Sequence, residues 1–516
     1  MNDNKTSKNS IVAKFAVPIS FLILFFLAAN FTDCDLVTFW KRRNHLTDLV
    51  VDMIPPDFSY IQKILLPLFY TIQMSVTGTV LGIFFALVLS PFGAANLGFP
   101  AVIRRILRIV IQILRSFPAL ILALTATFLF GLGTFAGTFA ITLYTFAIMT
   151  KLTYEDASAA DVKAYQALRA MGVSKYVAYI HGILPEIIPG FLTNALYLLE
   201  TNVRHSSILG YVGAGGIGLL LNEKISWLEY DKVGTILLML FLTVCVIEYF
   251  SRYLAALIRK ERTIKKEQAR LLLLFLAALF LICTFTLSLP DFSRTSPQTL
   301  RNMFAGFLQP DWSFFFSAEK DGLGYLLLET VCIAFIGTVI GAIVSAPLAF
   351  LNTKRFVPAP VSFLFNLVIM VIRSVPFLVY GLIFIRVSGP GAFTGVLTLA
   401  VCSIGLLTKR FTEALDALDP RPYHALLAMG VRPLPAICHS VLPQLKPVFT
   451  SIILYRFDVN IREASVLGLV GAGGIGAPLI FSMNQYAWEK AGAIMLGLIL
   501  LVWFIDMVSE KIGAGN

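Results

Sequence analysis

Glu200-Thr-Asn-Val-Arg204-His-Ser-Ser207-Ile-Leu-Gly210-Tyr-Val-Gly213-Ala-Gly215-Gly216-Ile-Gly218 is met again as Asp458-Val-Asn-Ile-Arg462-Glu-Ala-Ser465-Val-Leu-Gly468-Leu-Val-Gly471-Ala-Gly473-Gly474-Ile-Gly476. Both copies sit at the same place inside a long apolar half. The 516-residue chain therefore reads as a tandem duplication, each half expected to form an equivalent piece of one pore. The correspondence reaches beyond the glycines. Pro56-Asp57-Phe58-Ser59 answers Pro310-Asp311-Trp312-Ser313, and Gly78-Thr-Val-Leu-Gly82 answers Gly337-Thr-Val-Ile-Gly341. Arg115-Ser116-Phe117-Pro118 answers Arg373-Ser374-Val375-Pro376, and from there onward the offset is constant at 258.

Composition places this duplication in lipid. Hydrophobic residues make up 57% and charged residues only 14%, where a soluble domain carries about a quarter charged. The net charge of +11 comes from loops between apolar runs, which argues against a nucleic-acid partner. The six cysteines show no paired metal spacing and read as small core hydrophobes. Segments of about 20 apolar residues span a bilayer, and six are expected per half. They fall near 15–31, 64–90, 102–130, 131–150, 183–201 and 233–257, then near 271–289, 326–350, 361–386, 391–408, 441–457 and 489–508. This gives a first repeat over 1–257, a basic linker over 258–270 and a second repeat over 271–516.

Lys and Arg set the orientation. The linker with Arg259, Arg262, Lys265, Lys266 and Arg270 is the most basic stretch and is assigned to the cytoplasm. Both termini and the loops 91–101, 151–182, 351–360 and 409–440 follow it there. Lys41-Arg42-Arg43 is the discordant cluster and is expected on an external helix among aspartates 33, 35, 48 and 52. With an even number of spans per half, the two copies share one orientation about an axis along the membrane normal.

The long loops repeat a second pattern. Glu155-Asp-Ala157 leads through Met171-Gly172 to Leu184-Pro185, and Glu413-Ala414 leads through Met429-Gly430 to Leu442-Pro443. Each is a small-residue helix, a turn that glycine permits, and a short second helix. Two copies at one topological point suggest docking elements for a two-fold cytoplasmic partner. These loops resemble the "EAA" motif of ABC-importer permeases. The tract 455–476, Arg373-Ser-Val-Pro376 and Pro55-Pro-Asp-Phe-Ser59 narrow the resemblance to the phosphonate-transport (PhnE-type) family, with two permease copies fused. The first half departs from the pattern at Glu155-Asp156, and at Leu198 and His205 where the second half has Arg456 and Glu463.

The resemblance implies an all-α integral membrane protein, about 12 transmembrane helices in two tandem six-helix repeats of the type I ABC-importer kind. It implies a multi-pass transport subunit of the cell membrane rather than an enzyme, working by alternating access on phosphonates or related phosphorus oxyanions. An external substrate-binding protein would deliver the ligand, and two ABC ATPase subunits would hold the ATP and Mg. This chain is expected to bind no cofactor and no metal. Glu155, Ala157, Gly172, Glu413, Ala414 and Gly430 then belong to the ATPase-coupling loops. No G-x-x-x-x-G-K-[ST] occurs, in keeping with ATP handled elsewhere. Gly213 to Gly218 does satisfy G-x-G-x-x-G, as does Gly471 to Gly476, but neither opens a βαβ unit. These glycines (213, 215, 216, 218, 471, 473, 474 and 476) are read as bending backbone at a gate.

Charge inside the membrane is the clue to substrate chemistry, since an unpaired guanidinium there costs several kcal/mol. Arg115 and Arg373, placed near the middle of the third spans, are either paired structurally with Glu200 and Asp458 or offered to an anion as bidentate forks. Arg204 and Arg462 either ring the external mouth or stabilise the loop against the same acids. Arg456, unmatched in the first half, is a candidate for asymmetric substrate contact. Two other readings stay open: a secondary active anion transporter, which can also have two parallel six-span halves, and an ABC permease for another small anion such as phosphite or a phosphate ester.

Overall fold

A computed structural model describes residues 19–259, 265–290, 297–317, 319–320 and 322–514. Lys5, Lys8, Lys14, the start of the first expected span and linker residues 260–264 lie outside them. The first repeat begins with α1 (Ile19–Phe31), α2 (Leu36–Asp52), α3 (Ile61–Gly93), α4 (Ala101–Ser116) and α5 (Ala119–Phe130). It continues with α6 (Thr134–Ala159), α7 (Lys163–Ala170), α8 (Lys175–Gly182), α9 (Leu184–Leu209), α10 (Ile217–Ser226) and α11 (Tyr230–Ile258). The second repeat runs α12 (Lys266–Phe285), α13 (Pro297–Leu308), α14 (Trp312–Phe315), α15 (Leu323–Asn352), α16 (Ala359–Ser374) and α17 (Phe377–Ser388). It ends with α18 (Ala392–Ala417), α19 (Arg421–Ala428), α20 (Pro433–Ala436), α21 (Leu442–Leu467), α22 (Gly476–Asn484) and α23 (Trp488–Ala514). No strand occurs among the described residues.

Eight of these segments are long and apolar enough to cross a bilayer singly, and three more do so as bent pairs. The third span of each repeat is one of those pairs. α4 and α5 meet at 96°, α16 and α17 at 87°. Pro118 is the cause in the first repeat: its ring drives the preceding Phe117 to φ −93°, ψ 129°, which a helix cannot continue through. Arg115 and Arg373 are therefore in the last turns of α4 and α16, at the bend about halfway along the third span of each repeat. A cation suits the negative end of a helix dipole. Lys41-Arg42-Arg43 falls within α2, where the Arg43 guanidinium lies over the Trp40 ring at 4.5 Å.

The helices fall into two compact units. One comprises residues 1–48, 305–373 and 377–516, the other 49–304 and 374–376. The leading helix of each repeat is thus grouped with the body of the other. In the first unit Phe21 packs on Phe335 and Phe31 on Tyr325, at ring separations of 5.5 and 4.9 Å. In the second, Gln73 of α3 donates to the Cys283 carbonyl at 3.0 Å and the Thr286 hydroxyl at 2.8 Å.

Inside each unit the central pair is α3 with α6, or α15 with α18. Glycines four apart let those backbones close. A Cβ on Gly78 would lie 2.7 Å from Ile141, and one on Gly341 would lie 2.4 Å from the Ser403 Cβ. Small residues at this spacing are the usual means of close helix approach in lipid, where packing rather than water expulsion drives association.

Candidate functional site

The duplicated tract forms the end of one helix, a tight reversal and the start of the next. α9 closes through a 3-10 turn at Gly210–Val212, after which Gly213, Gly215 and Gly216 take φ of 83°, 76° and 76°. Gly471, Gly473 and Gly474 take 78°, 78° and 77°. This left-handed backbone costs an ordinary residue roughly 1–2 kcal/mol. Gly218 and Gly476 are needed for a different reason: a Cβ there would lie 2.3 Å from the Ser207 carbonyl oxygen and 2.6 Å from that of Ser465. The turn is pinned from outside in the same way twice. Gly133 donates to the Gly213 carbonyl at 3.0 Å, and Gly391 to that of Gly471 at 2.9 Å. Ile217 N–H donates to Thr71 Oγ1 at 2.9 Å, and Ile475 N–H to Thr330 Oγ1 at 3.0 Å. Only the second repeat adds a carboxylate, Glu329, which accepts from Gly474 N–H at 3.0 Å; Tyr70 holds the matching position.

The acids of the tract lie against arginines one turn along the same helix. Arg204 Nη1 is 3.0 Å from Glu200 Oε1, and Arg462 pairs likewise with Asp458. This is the i,i+4 geometry that a helix favours. Arg456 lies two turns before Glu463 on α21 and holds it through both carboxylate oxygens, at 2.8 and 3.4 Å. Its Nε donates to Ser403 Oγ at 3.2 Å. The Arg373 side chain packs along Gly405 of α18.

Between these charges each tract buries an asparagine. Asn202, fully buried, donates to Thr79 Oγ1 of α3 at 2.7 Å and to Thr145 Oγ1 of α6 at 2.8 Å. Asn460 does the same to Thr338 of α15 at 2.7 Å and Ser403 of α18 at 2.9 Å. One amide ties three helices together in each repeat. Its recurrence at the same place in both tracts was the available signal.

The long loops form a third part of the candidate site. Glu155 lies 3.5 Å from Lys151, and Glu413 lies 3.2 Å from Arg410. Ala157 is fully buried in a cluster with Leu97, Tyr165, Ala178 and Tyr179, so it fixes the loop rather than presenting it. Ala414 has the same kind of role beside Leu407, Phe411 and Leu445. Gly172 and Gly430 stand at the tips with φ of 83° and 81° and no atom within 4 Å of where a Cβ would be. Beside them Met171 and Met429 are each 70% exposed. Flexible apolar side chains held out in duplicate suit a protein partner. The tracts, the buried nodes and the loops together describe a polytopic membrane permease built from two repeats.

Residues 78–263 and 337–512 each match the family described as "Binding-protein-dependent transport system inner membrane component", and the chain belongs to that family. It is similar to the phosphate-import permease protein PhnE of Mycolicibacterium smegmatis, with 27% identity over 474 residues, 90% of this chain and 88% of the relative. It is also similar to the phosphite transport system permease protein PtxC of Stutzerimonas stutzeri, 36% identical over 36% of this chain and 67% of the relative. A putative cryptic phosphonate transport system permease protein, PhnE2 of Escherichia coli, is 37% identical over 23% of this chain and 96% of its own length. Among solved structures, a chain of the inward-facing MetNI methionine ABC transporter covers 39% of this chain and 99% of itself, at 22% identity and a TM-score of 0.36. The protein is thus the inner-membrane component of a binding-protein-dependent transport system, a transport subunit with two permease copies in one chain.

Proposed function

We propose that this chain forms the translocation pathway of an ABC importer for phosphonates or related phosphorus oxyanions. The observation that carries this reading is the pairing of duplicated exposed tips, Met171-Gly172 and Met429-Gly430, with similarity to permeases named for phosphate, phosphite and phosphonate. Each tip receives one ATPase subunit, so two bind per chain, and ATP with Mg resides on them. An external binding protein supplies the ligand from the other side. Both termini then lie in the cytoplasm with the loops.

ATP-driven closure of the ATPase pair pulls the tips together and rocks the repeats about their shared axis, a rigid-body motion of packed helices. The glycine turns flank the gate because they are the irregular backbone at its edge, tolerated at membrane depth where protein surrounds it. Arg115 and Arg373 supply planar forks that suit a tetrahedral oxyanion. Arg204 and Arg462, spent on Glu200 and Asp458, shape the wall of the path.

Copurification of the solubilised chain with its ATPase tests the reading, wild type against Gly172→Asp with Gly430→Asp. Two ATPase subunits per wild-type chain, lost in the double variant, is the expected result. Uptake of phosphonate into vesicles by the purified chain alone, with no ATPase bound, would sink it in favour of a secondary transporter.

A further inference from the structure

α4 shows three faces. Ile111 is buried against the unit, while Val102, Ile106 and Ile109 are among its exposed apolar side chains on the opposite side. The third face carries Arg104, Arg105 and Arg108. Two of these guanidiniums are gathered over carbonyls at the end of α3 and in the loop that follows it. Arg108 donates to the Gly93 carbonyl through Nε and Nη2 at 3.0 and 2.9 Å and lies over the Tyr154 ring at 5.1 Å. Arg104 donates to the Ala95 carbonyl at 3.4 Å. Lys175, the first residue of α8, reaches the Gly98 carbonyl in the same loop. Among the described residues none of these four cations has a carboxylate within ion-pair distance.

The second repeat serves as an internal control. At the constant offset, Arg104, Arg105, Arg108 and Lys175 become Ser362, Phe363, Asn366 and Pro433. α16 keeps the same length, the same sharp bend and an exposed apolar face that includes Phe363 and Leu364. Ser362 donates to the Asn352 carbonyl at 2.6 Å. Arg355, in the loop before α16, donates to the Leu415 and Leu418 carbonyls at 2.8 and 3.1 Å, so the second repeat closes the same corner without a cluster of four cations on α16 and the helix that answers α8. A helix with an exposed apolar face flanked by arginines lies in the membrane interface, and clustered basic residues there recognise anionic headgroups.

We propose that Arg104, Arg105, Arg108 and Lys175 form a binding site for the phosphate of an anionic phospholipid, its acyl chains lying along the exposed apolar face of α4. Each chain has one such site, on the first repeat. Assignment to the cytoplasmic leaflet rests on the orientation proposed above; the site itself does not.

The test is native mass spectrometry of the full chain released from micelles containing equal phosphatidylglycerol and phosphatidylcholine. Wild type is expected to retain one phosphatidylglycerol preferentially. Each basic side chain near such a headgroup contributes about fivefold, so Arg104→Gln with Arg105→Gln and Lys175→Gln should lose on the order of a hundredfold. Arg105→Gln alone, at an exposed position, should lose about fivefold with the unfolding temperature unchanged, which separates binding from misfolding. Equal retention of the two lipids by wild type, an unchanged triple variant, or displacement of the lipid by excess inorganic phosphate would each overturn the proposal. A site still filled in vesicles whose anionic lipid is confined to the leaflet away from the termini would overturn the orientation and support the site.

Discussion

α9 and α21 carry the same asparagine between the same two partner helices, yet the side chains around it differ. In α21, the buried Arg456 and the partly buried Glu463 form an ion pair, with Cys402 beside them on α18. In α9 the same places hold Leu198 and His205, and the His205 ring packs on Tyr144 at 5.1 Å, the residue that answers Cys402. All three positions differ together. The packing of three helices around the asparagine is therefore met equally by an ion pair or by an aliphatic and aromatic set. What both repeats keep is the asparagine; the charge is an addition to one side. Buried ion pairs often match hydrophobic replacements in stability, whereas half of a pair is costly.

That contrast is open to a direct test, and the largest effect falls on a broken pair. Glu463→Leu leaves Arg456 buried without its carboxylate and should cost about 3–5 kcal/mol, read as the unfolding free energy in detergent. Arg456→Leu with Glu463→His, copying the first repeat, should recover most of that loss. A double variant as unstable as the single one would show that the pair is required for folding. Next are the turn glycines. Gly218→Ala and Gly476→Ala place a methyl against backbone that cannot yield, with a cost of about 1–3 kcal/mol each. The first should be the worse, since its approach of 2.3 Å is tighter than 2.6 Å.

A smaller, matched effect is expected at the shared node. Asn202→Ala and Asn460→Ala should each cost about 0.6 kcal/mol, at most about 1.7, the range for hydrogen bonds between membrane helices. Values that differ strongly between the two would mean that the ion pair feeds into the node. The smallest effect lies at the caps before α3 and α14, where Asp57 and Asp311 each accept from the following serine's hydroxyl at 2.6 Å. Those hydrogen bonds hold both carboxyls below the usual carboxylate range. A depressed folded pKa means that the capping is fully present above the unfolded value of about 3.9 and is lost as pH falls through the folded one. Hydrogen exchange at the Ser59 and Ser313 amides should thus stay protected at pH 5 and open only in stronger acid, in both repeats alike.

Much of this architecture was legible because duplication marks what the fold needs. The constant offset, the glycine tract and the apolar lengths led to the right class and to the helices in order. The ion pairs were partly legible: Glu200 with Arg204 and Asp458 with Arg462 stand at the spacing of one helical turn. The bend at Pro118 was visible as a residue but not as a geometry, because a proline in an apolar run either kinks a span or divides it, and hydropathy does not distinguish the two. Asn202 and Asn460 were present in the quoted tract, but only the partners on other helices reveal what they hold. The asymmetric cluster Arg104, Arg105, Arg108 and Lys175 spans two elements, and no local pattern joins α4 to α8.

The grouping of α1 with the body of the second repeat has a consequence for how the protein is made. Phe21 and Phe31 rest on Phe335 and Tyr325, which leave the ribosome about 300 residues later. At a synthesis rate of about 5–20 residues per second, the interval is about 15–60 s. α12 meets no such delay, since its partner α3 is already in the membrane when it emerges. During synthesis the chain therefore holds one helix in waiting among lipids, and the first repeat acquires its twelfth-helix neighbour before the second repeat acquires its first.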